Sequence, residues 1–122
     1  MKPTVLYIID SLALGGAEML VVSQIPEVRK RYNVVLVTLD PLNQFEEGAV
    51  QYDAYYCLNM KGKRDFFSAA SKLKKIIRNH DVKLVNSVLY WSVMLARFAC
   101  GKRIPLISNL AITMSNGAYN LR

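Results

Sequence analysis

Histidine appears once in this 122-residue chain, cysteine twice and tryptophan once. Zinc and haem centres draw on His and Cys at short, regular spacings. His80, Cys57 and Cys100 are too scattered to supply such a set, so no metal is expected. The two cysteines form no disulfide framework and read as buried thiols of a reducing compartment. Carboxylates are scarce as well: nine Asp and Glu face sixteen Lys and Arg, for a net charge of +7. No apolar run approaches the ~20 residues that span a bilayer. The opening MKPTVLYIID lacks a small-residue cleavage site and alternates like a strand, which argues against a secretory leader. A cytoplasmic location is expected.

Apolar residues, by contrast, are plentiful. They make up 52% of the chain and charged residues 20%, the balance of a folded domain rather than a disordered one. A single domain of this length buries roughly two thirds of its surface. The positive charge favours anionic partners, whether phosphates, nucleic acid or acidic lipid. No DNA- or RNA-binding module pattern accompanies it, so nucleic acid is not an expected partner.

Strand-like and helix-like patterns alternate along the chain. Thr4–Ile9 is β-branched and aromatic, and Asn33–Leu39, reading NVVLVTL, is as apolar as a strand covered on both faces should be. Ala54–Leu58, Lys83–Ser87 and Pro105–Ser108 complete five predicted strands. A first helix is predicted over Ala17–Lys30, with Leu20, Val21, Gln24, Ile25 and Val28 on one side. A second covers Asp65–Asn79, with Phe66, Ala69, Ala70, Leu73, Ile76 and Ile77 on one face. The third, Tyr90–Cys100, ends at Gly101. Pro26 cannot donate to the carbonyl of Val22, so a kink or an early end is expected there. Pro41–Gln51 reads as a loop with one helical turn at most. This alternation implies a parallel α/β sheet with helices on both faces, and right-handed crossovers suggest a doubly wound order, 3-2-1-4-5. The stretch Ala111–Arg122 has no strong period and reads as a path cut short.

Ligands of doubly wound sheets sit beyond the carboxyl ends of the strands, next to the first strand. There the sequence runs IIDSLALGGAEML: strand, two glycines, helix. Gly15 and Gly16 would offer free N–H groups and the positive end of a helix dipole, which suits a phosphate. A tight turn explains them equally well. Both the G-x-G-x-x-G of dinucleotide sites and the G-K-[ST] of Walker loops are missing, which disfavours an NAD-type domain. Asp10, at the loop's start, is most simply a turn residue.

Three segments, IIDSLALGGAEML, NVVLVTL and LNMKGKRDFFSAASKLKKIIRNHDVKLVNS, together resemble the N-terminal half of a family 4 glycosyltransferase, over about Val5 to Ser108. The strand–GGAE–helix opening and the KGKRDFF segment are the most specific parts. The resemblance implies a GT-B architecture, two Rossmann-like domains facing across a cleft, with residues 1–122 as the single acceptor-side domain. The nucleotide-sugar, a co-substrate rather than a cofactor, would be held mainly by a C-terminal donor domain that this chain lacks. The implied reaction is a retaining transfer of a sugar (hexosyltransferase type) to a polysaccharide or lipid-linked acceptor, with the isolated chain inactive. Gly15 and Gly16 would lie near the donor diphosphate, and Asp10, Asn86, Tyr90, Trp91 and Asn109 are the acceptor-side candidates. Catalytic residues are not identified. Family members often carry histidines after the fourth and fifth strands, where this chain reads Asn86-Ser87-Val88 and Ser108-Asn109-Leu110-Ala111. An open cleft face would also favour self-association.

Between Lys61 and Asp81 stand five Lys and two Arg against two Asp. With Phe66 and Phe67 at its start, this basic amphipathic segment is a candidate for an anionic membrane surface, through Lys61, Lys63, Arg64, Lys72 and Lys75. That would place the domain peripherally on the inner face of the membrane. An ordinary solvated helix face is the competing explanation. The rival to the enzyme reading is a non-catalytic α/β domain docking on anionic membrane or a protein partner.

Overall fold

The computed structural model describes residues 2–13, 15–46, 48–88, 90–101 and 104–109, with the backbone alone at 90 and 107–109. Among these residues five parallel strands form one sheet: β1 (Thr4–Ile9), β2 (Asn33–Thr38), β3 (Ala54–Cys57), β4 (Val82–Val88) and β5 (Leu106–Asn109), in the order β3-β2-β1-β4-β5. This is the doubly wound order expected from the alternating pattern. β1 lies at the centre, paired in register from Thr4↔Asn33 to Ile9↔Thr38 on one side and with β4 on the other. Its residues Leu6, Ile8 and Ile9 are fully buried, as are Val34, Leu36 and Val37 of β2. A strand covered on both faces needs such an unbroken apolar run.

Among the described residues, three helices cover the two faces. Helix α1 (Gly16–Val28) lies on one, packing Ala17, Val21 and Ile25 against Val5, Tyr7, Ile9, Val34 and Leu36. Helices α2 (Phe66–Asn79) and α3 (Tyr90–Cys100) lie on the other. There Ala69, Ala70, Leu73, Ile76, Ile77, Leu95 and Ala96 pack against Leu6, Ile8, Val35, Val37 and Val85. The buried set of α2 is the one its periodicity predicts, with Phe66 only partly covered. On α1 the expectation is corrected. Leu20 is 41% exposed and Gln24 is exposed, because the helix rests on the sheet along the i, i+4, i+8 stripe 17-21-25.

Pro26 does not stop α1, which continues two residues further and ends at Val28, short of the predicted Lys30. A proline near the last turn forfeits a single intrahelical bond. The end is closed instead by Arg29 N–H donating to the Ile25 carbonyl at 2.9 Å. Gly101 closes α3 with φ +57°, a left-handed turn that glycine adopts without strain. A 3-10 turn, Lys63–Asp65, precedes α2, so that helix begins one residue later than predicted. The predicted loop 41–51 holds no helix among its described residues and is pinned by a bridge, Leu12↔Asn43. The tail 111–122 lies outside the described residues.

One acidic side chain fastens several elements at the amino ends of the strands. Asp53 N–H donates to the Val34 carbonyl at 2.8 Å, and Val34 N–H donates back to the Asp53 carboxylate at 2.7 Å. The same carboxylate takes the Arg29 guanidinium, at the end of α1, at 3.0 Å. Burial alone would raise this carboxyl, but the Val34 amide, the Arg29 charge and the Lys2 charge together hold it below its ordinary range. Asp53 therefore ties the entry of β3 to β2 and α1.

Candidate functional site

At the carboxyl ends of β1 and β2 the chain opens a crevice of about 280 Å³. Its walls are Asp10 after β1, Leu39 and Asp40 after β2, Met60–Lys63 after β3, and Trp91 from the first turn of α3. A second hollow, about 760 Å³, lies at the opposite end of the sheet, walled by residues such as Arg78, Val82, Gly101 and Pro105. It is larger, yet it sits where the negative ends of α2 and α3 and the amino ends of β4 and β5 converge. Ligands of doubly wound sheets bind at the carboxyl ends, so the smaller crevice is the candidate site.

Asp10 is no simple turn residue. Its Oδ1 accepts a hydrogen bond from the Ser92 hydroxyl at 2.6 Å and a second from the Ser92 backbone N–H at 2.9 Å. Ser92 is fully buried and is the third residue of α3. The carboxylate thus supplies, from β1, the cap that a helix normally takes from its own preceding residue. A negative group there also complements the helix dipole. The sequence shows Ser92 only as one polar residue in YWSVM. Its partner lies 82 residues away, and no local rule connects the two.

The cap fixes the start of α3 and with it Trp91, whose ring packs on the α2–α3 core and walls the crevice. Asp40 accepts Leu42 N–H at 2.8 Å, which shapes the loop after β2. Lys61 and Lys63, read from the sequence as membrane-facing, also line the crevice, while Arg64, Lys72 and Lys75 are exposed outside it. Asp65 holds the Lys61 backbone N–H at 2.9 Å. The crevice therefore offers two carboxylates, two ammonium groups and one indole, the mixture of charge, hydrogen-bonding and flat apolar surface that suits a polar ring.

Asn86 is on the α1 face in register with Tyr7 and Ile107, away from the crevice. Its amide bonds the Tyr7 hydroxyl, whose pKa burial raises and this bond partly restores. The Asn86 Oδ1 is buried with no hydrogen-bond partner among the described residues. Asn109 ends β5 in register with Val88, and Tyr90 opens α3; their side chains lie outside the described residues. His80 follows α2 at the other end of the sheet, with its Nε2 2.7 Å from the Tyr56 hydroxyl.

Gly15 and Gly16 open α1 on the opposite side of β1 from Trp91, outside the crevice walls. Leu12, buried and bridged to Asn43, anchors the loop that leads to them. Gly15 stands before the helix with φ −121° and ψ 174°, a conformation open to any residue, and a Cβ there would come 2.5 Å from the Glu18 carboxylate. A Cβ on Gly16 would meet nothing within 4 Å. Among the described residues no atom demands glycine at position 16.

Residues 14–110 match the sequence pattern of Glycosyltransferase Family 4. The chain belongs to that family. No curated protein matches this family 4 domain. Among solved structures it is similar to a deacetylase triple mutant of the teicoplanin biosynthetic pathway, at 14% identity and a TM-score of 0.60, over 98% of this chain and 70% of that one. It is also similar to a glycosyltransferase from Rickettsia africae ESF-5, at 13% identity and a TM-score of 0.53. That match covers 99% of the family 4 domain and 31% of the Rickettsia chain. At such identities the likeness concerns the fold. Among the described residues no helix is long and apolar enough to cross a membrane.

Proposed function

We propose that the chain is the acceptor-side domain of a retaining glycosyltransferase, which moves a sugar from a nucleotide-sugar to a polysaccharide or lipid-linked acceptor. The observation that carries this reading is the family match over residues 14–110, on a chain whose glycine pair opens a helix beside the central strand. Gly16 would let the donor diphosphate approach the backbone N–H groups of the first turn of α1, where the helix dipole favours an anion. The crevice between Asp10, Asp40, Lys61 and Trp91 would receive the acceptor, with the indole under a sugar ring and the carboxylates on its hydroxyls. Asn86, on the other face of the sheet, has no part in that crevice.

The nucleotide-sugar would need a second, donor-binding domain, so the 122-residue chain alone should transfer nothing. The experiment is a transfer assay on a panel of nucleotide-sugars, with the chain alone and joined to a donor-binding half. Transfer is expected only in the joined form, and Gly16→Val should abolish it while leaving the melting temperature of the chain unchanged. Turnover by the chain alone, or full activity of Gly16→Val in the joined form, refutes the assignment. A non-catalytic binding domain is the second reading, favoured by a crevice without an imidazole: His80 stands at the other end of the sheet.

A further inference from the structure

The pair of helices α2 and α3 carries an apolar ridge that no described part of the chain covers. Phe66 and Phe67, at the start of α2, meet Phe98 of α3 edge to face, with all three ring-centre distances 5.5–5.6 Å. Phe67 is 70% exposed, Phe98 47%, and Met94 on α3 41%. Lys74 Nζ stands 5.1 Å from the centre of the Phe98 ring, within range of a cation–π contact. A single exposed apolar side chain is ordinary. Phenylalanines touching one another in solvent, with a methionine on the same helix, mark a surface that meets something.

Charge is sorted in the same direction. Between Lys61 and Gly101 there are nine Lys and Arg and two Asp, whereas residues 2–60 hold four Lys and Arg and seven carboxylates. Neither α2 nor α3 contains a carboxylate. The two in this half are engaged locally: Asp65 with the Lys61 backbone, and Asp81 with Lys83 at 3.1 Å. Lys74 and Arg78, seven and eleven residues after Phe67, share its stripe of α2 and are exposed, and Lys72 and Lys75 are exposed further round the same helix. A second copy of this chain would set like charges against each other across such a face. A bilayer of anionic lipid satisfies both features together, taking aromatic rings at headgroup depth and cations at the phosphates.

We propose that the α2–α3 face is a docking surface for an anionic bilayer, with Phe67 and Phe98 entering the interfacial region and the cations of α2 on the lipid phosphates. Phe66 backs the two exposed rings and holds them upright. The proposal does not depend on the glycosyl-transfer reading, since it uses no residue of the crevice. Each cation held near a charged membrane contributes about fivefold to binding, and burying one phenylalanine ring contributes about tenfold or more.

The test is co-sedimentation of the 122-residue chain with vesicles of phosphatidylcholine alone and of phosphatidylcholine mixed with phosphatidylglycerol. Two variants, Phe67→Ser and the double change K74E/R78E, alter only exposed side chains, and their melting temperatures confirm that the fold is kept. Binding is expected on the phosphatidylglycerol vesicles only and should weaken as salt is added. It should fall about tenfold in Phe67→Ser and at least about 25-fold in K74E/R78E. Binding that ignores phosphatidylglycerol, survives both variants at full strength or is absent at low salt overturns the proposal. So does a dimer in sedimentation velocity that Phe67→Ser dissolves, because the ridge would then have a protein occupant.

Discussion

Replacing Ser92 by alanine removes one hydrogen bond and little else, which makes it a clean probe of how the crevice is built. The variant deletes the 2.6 Å bond from the Ser92 hydroxyl to Asp10 and leaves the 2.9 Å bond from the backbone N–H in place. Hydrogen bonds to charged groups contribute about 1.5–3 kcal/mol. Asp10 is half-buried and borders the crevice, so water can replace part of what is lost, and a cost of about 1.5–2 kcal/mol is expected. Asp10→Ala should cost more, about 2–4 kcal/mol, because it removes the helix cap and strands the buried Ser92 hydroxyl. The double variant should cost scarcely more than Asp10→Ala, leaving a coupling energy of about 1.5 kcal/mol. The assay is urea unfolding followed by fluorescence of the only tryptophan, Trp91, next to Ser92 in sequence. With a slope of about 2 kcal/mol/M, Ser92→Ala should lower the midpoint by close to 1 M. A shift under about 0.2 M, or additive single effects, would refute the claim that Asp10 caps α3.

Two further outcomes follow from the titratable groups. The Asp53 carboxyl lies below its ordinary range in the folded state, so the unfolded chain binds the extra proton first. Its stabilisation is present above the unfolded pKa and is lost as pH falls through the folded one. Asp53→Asn should therefore lower the thermal midpoint at pH 7 and flatten the acid limb of a midpoint-against-pH curve below about pH 4; an unchanged acid limb contradicts it. Cys100 is buried and its thiol is pushed up by burial, whereas Cys57 is half-exposed. Alkylation of the native protein at pH 8 should label Cys57 first and Cys100 only on unfolding, and mass spectrometry of the labelled peptides checks the order.

The extent to which the structure was legible in the sequence follows the range of the interactions concerned. The bounds of β1 and α3 and the buried face of α2 are local properties, set by β-branched runs and by 3.6-residue periodicity, and they read directly. Strand order followed because crossover handedness leaves few choices once the elements alternate. On α1 the pattern misled: with nearly every position apolar from Met19 to Val22, the side facing the sheet cannot be told from the side facing water. The crevice was legible only in part. Trp91 and Asp10 could be named as candidates, but the Asp10–Ser92 bond joins residues far apart, and the role of Asp10 as a cap was invisible. Phe98 was equally silent, since it joins the ridge only because α3 lies beside α2.

The central place of β1 also shapes how the chain is made. Its first neighbour, β2, ends at Thr38, while its second, β4, ends at Val88, about fifty residues later. At a synthesis rate of about 5–20 residues per second, one flank of β1 stays open for roughly 3–10 seconds while the missing strand is still being translated. For that interval the nascent chain presents an unpaired apolar strand edge, a natural target for chaperones and a point at which crowded ribosomes would make faulty contacts.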